Sequence, residues 1–388
     1  MSSTPQESWV ALREDKKLVE IMFDRPDQNR VLGDIFLGRV DAVLPGIQAA
    51  FVDIGTGKAG FLHVSDLNLE EAEEDKNGNG KNGGGRGRGR RNRNLPPIQD
   101  HVRKGQELLV QVTKEAISTK GPRLTAEISL PGRFLVYMPY SSRVGVSRKI
   151  EGRDQRSKLR KMAQKILPKD SGGIIVRTVG EEVTPEKLER EFKRLHERWT
   201  KIQEAAKAQK APAPVHAEAT LISGVIRDLF SDKFDALRVD GKGAYKEIVD
   251  YVTGVDPDLL DRVHEHNGSS PLFDEFGVEE ELQRAFRRQV PLKSGGSLVI
   301  EPTEALVSID VNTGRFTGKG KKDPEETILK TNLEAAREVA KQLRLRDVGG
   351  IIVVDFIDME SAKNREKVAR ELRSHLGRDR ARTKAFEI

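Results

Sequence analysis

Hydrophobic positions in the first third of the chain come in short runs separated by glycine or proline. Residues 35–67 and 105–130 both show this pattern, which is typical of the short strands of a β-barrel. Between them, residues 68–98 begin with the acidic run LEEAEED and continue at 76–94 with glycine, asparagine and basic residues only. Because such a tract has no apolar side chain to bury, we predict a small barrel interrupted by a disordered insertion.

Further short strands are predicted after the barrel, in RFLVYMP and GGIIVRTVG. A helix follows, with Thr184 as its N-cap and Pro185 at the first helical position. Its apolar residues recur every three or four positions, as expected of a stripe that packs on a core: Leu188, Phe192, Leu195, Trp199 and Ile202. Residues 210–216 then indicate a linker, and a mixed α/β region extends to about residue 285.

The C-terminal part of the chain has the clearest pattern. SLVIEPTEALVSIDV predicts strands, and DPEETILKTNLEAAREVAKQLRLR predicts a helix whose acidic start suits the helix dipole. The helix ends at DVGG, where glycine suits the capping conformation. The apolar run in IIVVDFIDM then predicts a strand buried on both faces. Together these segments predict a βαβ unit, in which the two strands are parallel.

Two aspartates, Asp310 and Asp355, lie at or near the carboxyl ends of these strands. In a parallel pair both ends lie at one edge of the sheet, where ligands of open α/β sheets bind. Adjacent carboxylates repel unless a cation neutralises them, and oxygen ligands select Mg²⁺ or Mn²⁺. Asn312 points to the same side as Asp310 and is placed to reach water or a phosphate. An alternative stays open, in which one aspartate caps the next loop and the other pairs with a basic residue. Asp358 is a third candidate.

Composition narrows the chemistry. The 388 residues suffice for several domains with their own cores, and the absence of cysteine excludes disulfides, thiolate nucleophiles and zinc–thiolate sites. The formal charge is +6, but residues 76–94 carry seven Lys or Arg and no acid, so the rest of the chain sums to −1. Nucleic-acid binding must therefore be argued from individual sites and not from the net charge.

The sequence contains no targeting or membrane signal. No apolar run reaches the roughly 18 residues that a membrane span needs, and the start MSSTPQESWV lacks the charged and apolar regions of a signal peptide. A cytoplasmic protein without a membrane span is the expectation.

Three blocks, FVDIGTGKAGFLH, SIDVNTGRFTG and ETILKTNLEAAREVAKQLRLRDVGGIIVVDFIDM, resemble the bacterial ribonuclease E/G family. The resemblance runs in order along nearly the whole chain apart from the insertion. It implies an α+β multidomain fold, in which a ribonuclease-H-like subdomain holds an inserted OB-fold RNA-binding barrel and a 5′-sensor, and a deoxyribonuclease-like α/β catalytic subdomain follows. The expected boundaries are 1–35 and 223–285 for the ribonuclease-H-like parts, 36–127 for the barrel, 128–222 for the sensor and 286–388 for the catalytic part.

The resemblance also implies an activity and its residues. The family's pattern is a Mg²⁺-dependent endoribonuclease that cleaves single-stranded RNA to 5′-phosphate and 3′-hydroxyl ends, in ribosomal RNA maturation and mRNA decay. It assigns the metal to Asp310 and Asp355 and an assisting role to Asn312. The residues that match its 5′-monophosphate pocket are Arg177, Thr178, Gly132, Val136 and Arg382. The alternative from another class is an RNA-binding module that does not cleave.

In the barrel, Phe51 and Phe61 match the aromatic residues on which the family stacks RNA bases, and Lys120 matches a lysine at its RNA groove. The alternative is that both phenylalanines are core residues of alternating strands.

One feature departs from the family. Its zinc-link, a Cys-Pro-x-Cys motif, has no counterpart in these residues, which contain no cysteine. A structural Zn²⁺ is therefore not supported for this chain, and a homo-oligomer is expected only of the full-length protein.

Overall fold

The computed structural model describes residues 1–4, 6–25, 30–67, 96–116, 120–218, 220–314, 324–381 and 383–388. These residues form two compact units. Unit 1 comprises Met1–Arg25, Leu237–Tyr245 and His264–Ile388, and unit 2 comprises Pro26–Ala236 and Lys246–Val263.

Short strands and a few long helices alternate along the described chain. The strands are β1 (Ser2–Ser3), β2 (Ser8–Glu14), β3 (Lys17–Asp24), β4 (Ile35–Leu44), β5 (Ala49–Asp53), β6 (Gly60–His63), β7 (Glu107–Lys114), β8 (Arg123–Thr125), β9 (Leu130–Pro131), β10 (Leu135–Met138), β11 (Val144–Val146), β12 (Gly173–Val176), β13 (Ala213–His216), β14 (Leu237–Val239), β15 (Val263–Glu265), β16 (Gln289–Pro291), β17 (Ser297–Pro302), β18 (Leu306–Asn312) and β19 (Ile351–Asp355). The helices are α1 (Arg153–Ile166), α2 (Pro185–Ala208), α3 (Leu221–Asp228), α4 (Lys242–Val255), α5 (Leu272–Glu275), α6 (Val278–Ala285), α7 (Pro324–Leu345) and α8 (Ala362–Leu376).

Unit 2 contains a closed barrel of five strands, in the order β4, β5, β6, β8 and β7, with β7 paired back to β4. Its core is built from the inward-facing residues of the alternating strands, among them Val52, Leu62 and Leu124. Gly60 belongs to this interior, because a Cβ there would lie 2.4 Å from the Leu124 side chain. The predicted small barrel is therefore confirmed.

Two sequence predictions about the barrel's flanks need correction. Residues 210–216 are not a linker, because β13 pairs antiparallel with β4 and extends the barrel sheet. The predicted insertion also extends too far, since Ile98 is fully buried in the barrel core. Most of the insertion, residues 68–95, lies outside the described residues.

The second sheet of unit 2 has the strand order β11, β12, β10 and β9 and packs on α1 and α2. Helix α2 begins as predicted, because the Thr184 side chain accepts the Lys187 backbone N–H at 3.4 Å and Pro185 is the first helical residue. The predicted apolar stripe of α2 is buried in the core that it shares with this sheet.

Unit 1 contains an antiparallel sheet of β1, β2 and β3 and a four-stranded sheet in the order β16, β17, β18 and β19. Strands β18 and β19 are parallel, with α7 between them in the chain, which confirms the predicted βαβ unit. The core joins Leu298 and Ile309 of the sheet to Val339 of α7 and Val368 of α8.

The prediction that β19 is buried on both faces is wrong. Ile351 and Val353 are 65% and 49% exposed, while Ile352 and Val354 pack against the core with the helices. The helices cover one face of the four-stranded sheet, and the opposite face of β19 is open to solvent.

Within the described residues, no helix combines the length and apolar character that a bilayer crossing requires.

Candidate functional site

The two strand-end aspartates meet on the open face of the sheet in unit 1. Asp310 and Asp355 are direct partners across the parallel pair β18 and β19, and both are exposed. Val299 and Gln289 continue the same row across β17 and β16. The carboxylates therefore stand side by side at the strand ends, as the βαβ pattern predicts.

Asn312 is tied to this pair. Its side-chain Nδ2 donates to Asp310 Oδ2 at 2.6 Å, as expected for residues i and i+2 on one strand face. The Asn312 amide nitrogen thus holds the Asp310 carboxylate in place. The side-chain oxygen of Asn312 is a further atom of the kind that can coordinate a cation.

The alternative roles of the two aspartates find no support in the part of the chain that the structure describes. Neither carboxylate lies within ion-pair distance of a described lysine or arginine, and the hydrogen bond of Asp310 is the one to Asn312. Asp358 lies beyond the end of β19, outside the strand register that joins the other two.

The donor set suits a hard divalent cation. Two adjacent carboxylates and an amide oxygen are ligands that Mg²⁺ accepts while it keeps several water molecules. No cluster of three or more His, Asp or Glu side chains suited to a metal occurs among the described residues, so a cation here would depend on this pair and on substrate or water oxygens. This is the usual arrangement for Mg²⁺ at a phosphate-transfer site.

A second group of candidate residues lies in unit 2, where β12 ends beside the turn between β9 and β10. Arg177 Nη1 donates to the Gly132 carbonyl oxygen and to Asp228 Oδ1, each at 2.6 Å. Thr178 is exposed, and its hydroxyl lies 3.2 Å from the Ser147 hydroxyl. Gly132, Arg177 and Thr178 are three of the residues predicted for a 5′-monophosphate pocket, and we call this group the 5′-end pocket after that prediction.

Two other residues, Val136 and Arg382, are also predicted for the 5′-end pocket. Val136 lies in the same sheet, half-buried on β10 and paired with Ile175 of β12. Arg382 lies outside the described residues.

Sequence reasoning missed the carboxylate that shapes this turn. Glu191 of α2 is 3% exposed and accepts the backbone N–H groups of Arg133, Phe134 and Leu135 at 2.6, 2.7 and 3.1 Å. Burial raises the pKa of Glu191, and the backbone N–H groups oppose that shift. An acid between Leu188 and Phe192, inside the apolar stripe of α2, is the sequence signal that points to such a role.

Arg133 is a second buried group that sequence reasoning missed. Its guanidinium donates to the backbone carbonyls of Ile226 and Phe230 and lies 3.3 Å from the Asp256 carboxylate. Glu191 thus holds the backbone of this turn, and the Arg133 side chain ties the same turn to Ile226, Phe230 and Asp256.

The barrel carries a row of aromatic side chains. Phe51 and Phe61 are partners across β5 and β6, both half-buried, with ring centroids 6.1 Å apart in an edge-to-face arrangement. Their strand neighbours Val52 and Leu62 are fully buried in the barrel core. The two phenylalanines therefore point outward, and the alternative that they are core residues is wrong.

His63 extends this row, with its ring 6.5 Å from that of Phe61 and nearly parallel to it. Lys120 is exposed and is followed by Gly121 and Pro122, whose carbonyl oxygen accepts the Phe61 backbone N–H at 2.8 Å. Lys120 therefore lies just before Pro122, the residue that is hydrogen-bonded to the strand that carries Phe61. We call Phe51, Phe61 and His63 the aromatic row.

Comparison with known proteins gives a consistent result. The sequence model of the ribonuclease E/G family matches residues 129–388. The chain is 40% identical over 380 residues to ribonuclease G of Salmonella typhimurium, which covers 98% of this chain and 75% of that protein. It is 38% identical over 385 residues to ribonuclease G of Haemophilus influenzae, with 99% and 75% covered. It is 35% identical over 391 residues to ribonuclease E of Escherichia coli, with 100% of this chain and 35% of that protein covered.

Proposed function

The chain belongs to the ribonuclease E/G family, and from that membership we propose that it is an endoribonuclease that cleaves single-stranded RNA. The cellular roles that go with this activity are ribosomal RNA maturation and mRNA decay. The observation that carries the catalytic part of the proposal is the pairing of Asp310 with Asp355 across two parallel strands on an exposed sheet face.

Asp310 and Asp355 are the residues that would hold Mg²⁺ or Mn²⁺. When bound, the ion supplies an activated water and stabilises negative charge on the phosphodiester, which gives 5′-phosphate and 3′-hydroxyl products. Asn312 keeps the Asp310 carboxylate in one orientation through its 2.6 Å hydrogen bond. The open sheet face beside the pair leaves room for an RNA backbone to approach.

The 5′-end pocket is proposed to bind the 5′-monophosphate of the RNA. A guanidinium and a hydroxyl supply charged and neutral donors, which suit the oxygens of one phosphate. Arg177 is half-buried and anchored, so it needs little reordering to receive the phosphate. Val136 and Arg382 are assigned to the same function from the family's pattern.

RNA bases are proposed to stack on Phe51 and Phe61, with Lys120 contacting the backbone. Half-buried aromatic rings that face outward from a barrel offer stacking without sequence preference, and a lysine adds phosphate attraction.

The finer architecture follows the same family pattern. We assign the barrel of unit 2 to an OB-fold, the four-stranded sheet of unit 1 with α7 and α8 to a deoxyribonuclease-like catalytic subdomain, and residues 1–35 with 223–285 to a ribonuclease-H-like subdomain. A homo-oligomeric full-length protein and a cytoplasmic location stay predictions.

The decisive test separates cleavage from binding alone. A 5′-monophosphorylated, A/U-rich oligonucleotide is incubated with the protein in Mg²⁺ and, separately, in excess chelator, and products are resolved by gel. Cutting in Mg²⁺ that stops with chelator supports the endoribonuclease. Tight binding without cutting in Mg²⁺ or Mn²⁺ would favour an RNA-binding module that does not cleave.

A further inference from the structure

In the part of the chain that the structure describes, the Arg177 guanidinium is held through one nitrogen, Nη1. Both hydrogens of Nη1 are directed to protein acceptors, the Gly132 carbonyl oxygen and Asp228 Oδ1. A guanidinium has five N–H donors, so three remain on Nε and Nη2. Within the described residues these three have no hydrogen-bond acceptor, and the side chain is 26% exposed. The Nε–Nη2 edge is the fork that binds a phosphate through two parallel hydrogen bonds.

Asp228, at the end of α3, is itself fixed. Arg227 Nε donates to Asp228 Oδ1 and Arg227 Nη2 donates to Oδ2, each at 3.2 Å. The other end of the Arg227 guanidinium is bonded to Glu218. Because of these contacts, the Asp228 carboxylate cannot turn away from Arg177 without breaking its bonds to Arg227.

The charges along this row alternate, in the order Glu218, Arg227, Asp228 and Arg177. Burial alone would raise the pKa of Asp228, but hydrogen bonds and charge attraction from Arg227 and Arg177 hold it below its usual value. Asp228 is thus a carboxylate at neutral pH, and the row as a whole has no excess positive charge.

We propose that Asp228 is a positioning and specificity-determining residue, which turns the Nε–Nη2 edge of Arg177 toward the RNA 5′ end and disfavours ends with more than one phosphate. The proposal rests on the proposed role of Arg177 in binding a 5′-monophosphate. One phosphate binds to the free Nε–Nη2 edge of Arg177. Further phosphates bring negative charge close to the Asp228 carboxylate, so a 5′-triphosphate binds less well than a 5′-monophosphate.

The test uses the Asp228→Asn variant, which keeps an oxygen acceptor for Arg177 Nη1 and removes the charge. Three 2′-O-methyl oligonucleotides that differ only in a 5′-hydroxyl, 5′-monophosphate or 5′-triphosphate are titrated at fixed salt, and binding is followed by fluorescence anisotropy. We expect the triphosphate to gain about fivefold relative to the monophosphate, which corresponds to about 1 kcal/mol, the interaction of two unit charges about 4 Å apart in water. The 5′-hydroxyl oligonucleotide should bind as it does to the wild type.

A second variant acts in the opposite direction and does not depend on the first one folding. Arg227→Gln leaves the Asp228 charge in place but removes its neutralising partner, so the triphosphate should lose relative to the monophosphate. The matched control is Asp258→Asn, which removes a carboxylate paired with Lys187 at 2.7 Å elsewhere in unit 2 and should leave all three ratios unchanged.

Equal loss of affinity for all three oligonucleotides in both variants would assign the row to fold stability and overturn the proposal. If the wild type prefers the monophosphate and both variants keep the wild-type ratios, the role of Asp228 is overturned while the 5′-end pocket is not. A wild type that binds the monophosphate and the hydroxyl oligonucleotide equally would refute the 5′-end pocket itself and this inference with it.

Discussion

At Gly132 the backbone passes so close to helix α2 that no side chain fits. A Cβ there would lie 2.7 Å from Glu191 Cδ and 2.9 Å from the Leu135 carbonyl oxygen. The Glu191 carboxylate needs this proximity, because it accepts consecutive backbone N–H groups from the turn that Gly132 begins. Because residue 132 has no side chain, the buried Glu191 carboxylate can fix this turn. The same turn presents the Gly132 carbonyl oxygen that accepts a hydrogen bond from Arg177.

Substituting Gly132 should therefore be costly. We expect Gly132→Ala to destabilise unit 2 by about 1–3 kcal/mol, as overpacking does in a tightly packed interior, and to weaken 5′-monophosphate binding more than 5′-hydroxyl binding. The control is Gly224→Ala inside α3, where a Cβ meets nothing within 4 Å and the change should stabilise by about 0.4–1 kcal/mol. Thermal unfolding of both variants checks the prediction, and a Gly132→Ala protein as stable as the wild type would contradict it.

The acid pair gives a second prediction at this scale. Asp310→Asn and Asp355→Asn should each lower kcat by more than about 100-fold, since even residues that only support metal ligands contribute 10-fold to 100-fold. Affinity for RNA in chelator should stay near the wild-type value, because the aromatic row lies in the other unit.

The control for the acid pair is Glu301→Gln. Glu301 is an exposed carboxylate on the same sheet face, paired with Ser308 in register and with Arg288 as an ion pair at 2.5 Å. Titration with Mn²⁺ gives a readout that is independent of turnover, and both aspartate variants should bind Mn²⁺ more weakly than Glu301→Gln. Normal turnover in either aspartate variant would remove that residue from the catalytic site.

At the scale of elements, periodicity was informative wherever an element's partners lie nearby in the chain. The cap and stripe of α2 and the strand, helix and strand of β18, α7 and β19 were predictable, because each signal is local. The pairing of Asp310 with Asp355 followed from the same topology. Strand β13 was missed, because Pro212 and Pro214 suggest a linker and only pairing with the distant β4 makes this segment a strand.

The side chains that sequence reasoning missed, Glu191, Arg133 and Asp228, share one property. Each contacts a segment more than 50 positions away in the chain, and the neighbouring sequence does not identify that segment. In the sequence, such a residue is indicated only by an acid or a base that stands among apolar residues, and this signal does not identify its partner.

The aromatic row provides the prediction that belongs to the barrel strands. Phe51→Ala and Phe61→Ala should each weaken binding of single-stranded RNA by about 1–3 kcal/mol and change the unfolding temperature little, because both rings lie outside the barrel core. Leu62→Ala, on the same strand as Phe61 but fully buried, should do the reverse and cost about 2–5 kcal/mol of stability. Anisotropy and thermal unfolding on the three variants distinguish stacking from packing, and unaltered RNA affinity in both phenylalanine variants would exclude stacking there.

At the scale of the whole molecule, charge is distributed unevenly along the chain. Residues 76–94 contain seven Lys or Arg without an acid, while the remainder of the chain sums to −1. Long-range attraction of RNA therefore depends either on this tract or on local sites such as Lys120 and Arg177. These two possibilities differ in their dependence on salt, because each phosphate contact releases counterions.

Deleting residues 76–94 distinguishes the two possibilities. The tract has no apolar residue that a core would need, so the deletion should leave the unfolding temperature unchanged. If all seven basic residues met phosphates of single-stranded RNA, the slope of log K against log salt would become shallower by about 5 after deletion, and a smaller change would count the contacts that form. The measurement is RNA affinity at several salt concentrations with and without the tract. We expect a shallower slope, since seven basic side chains without an acid among them attract a phosphate backbone. Identical slopes would show that the rest of the chain attracts the RNA without this tract.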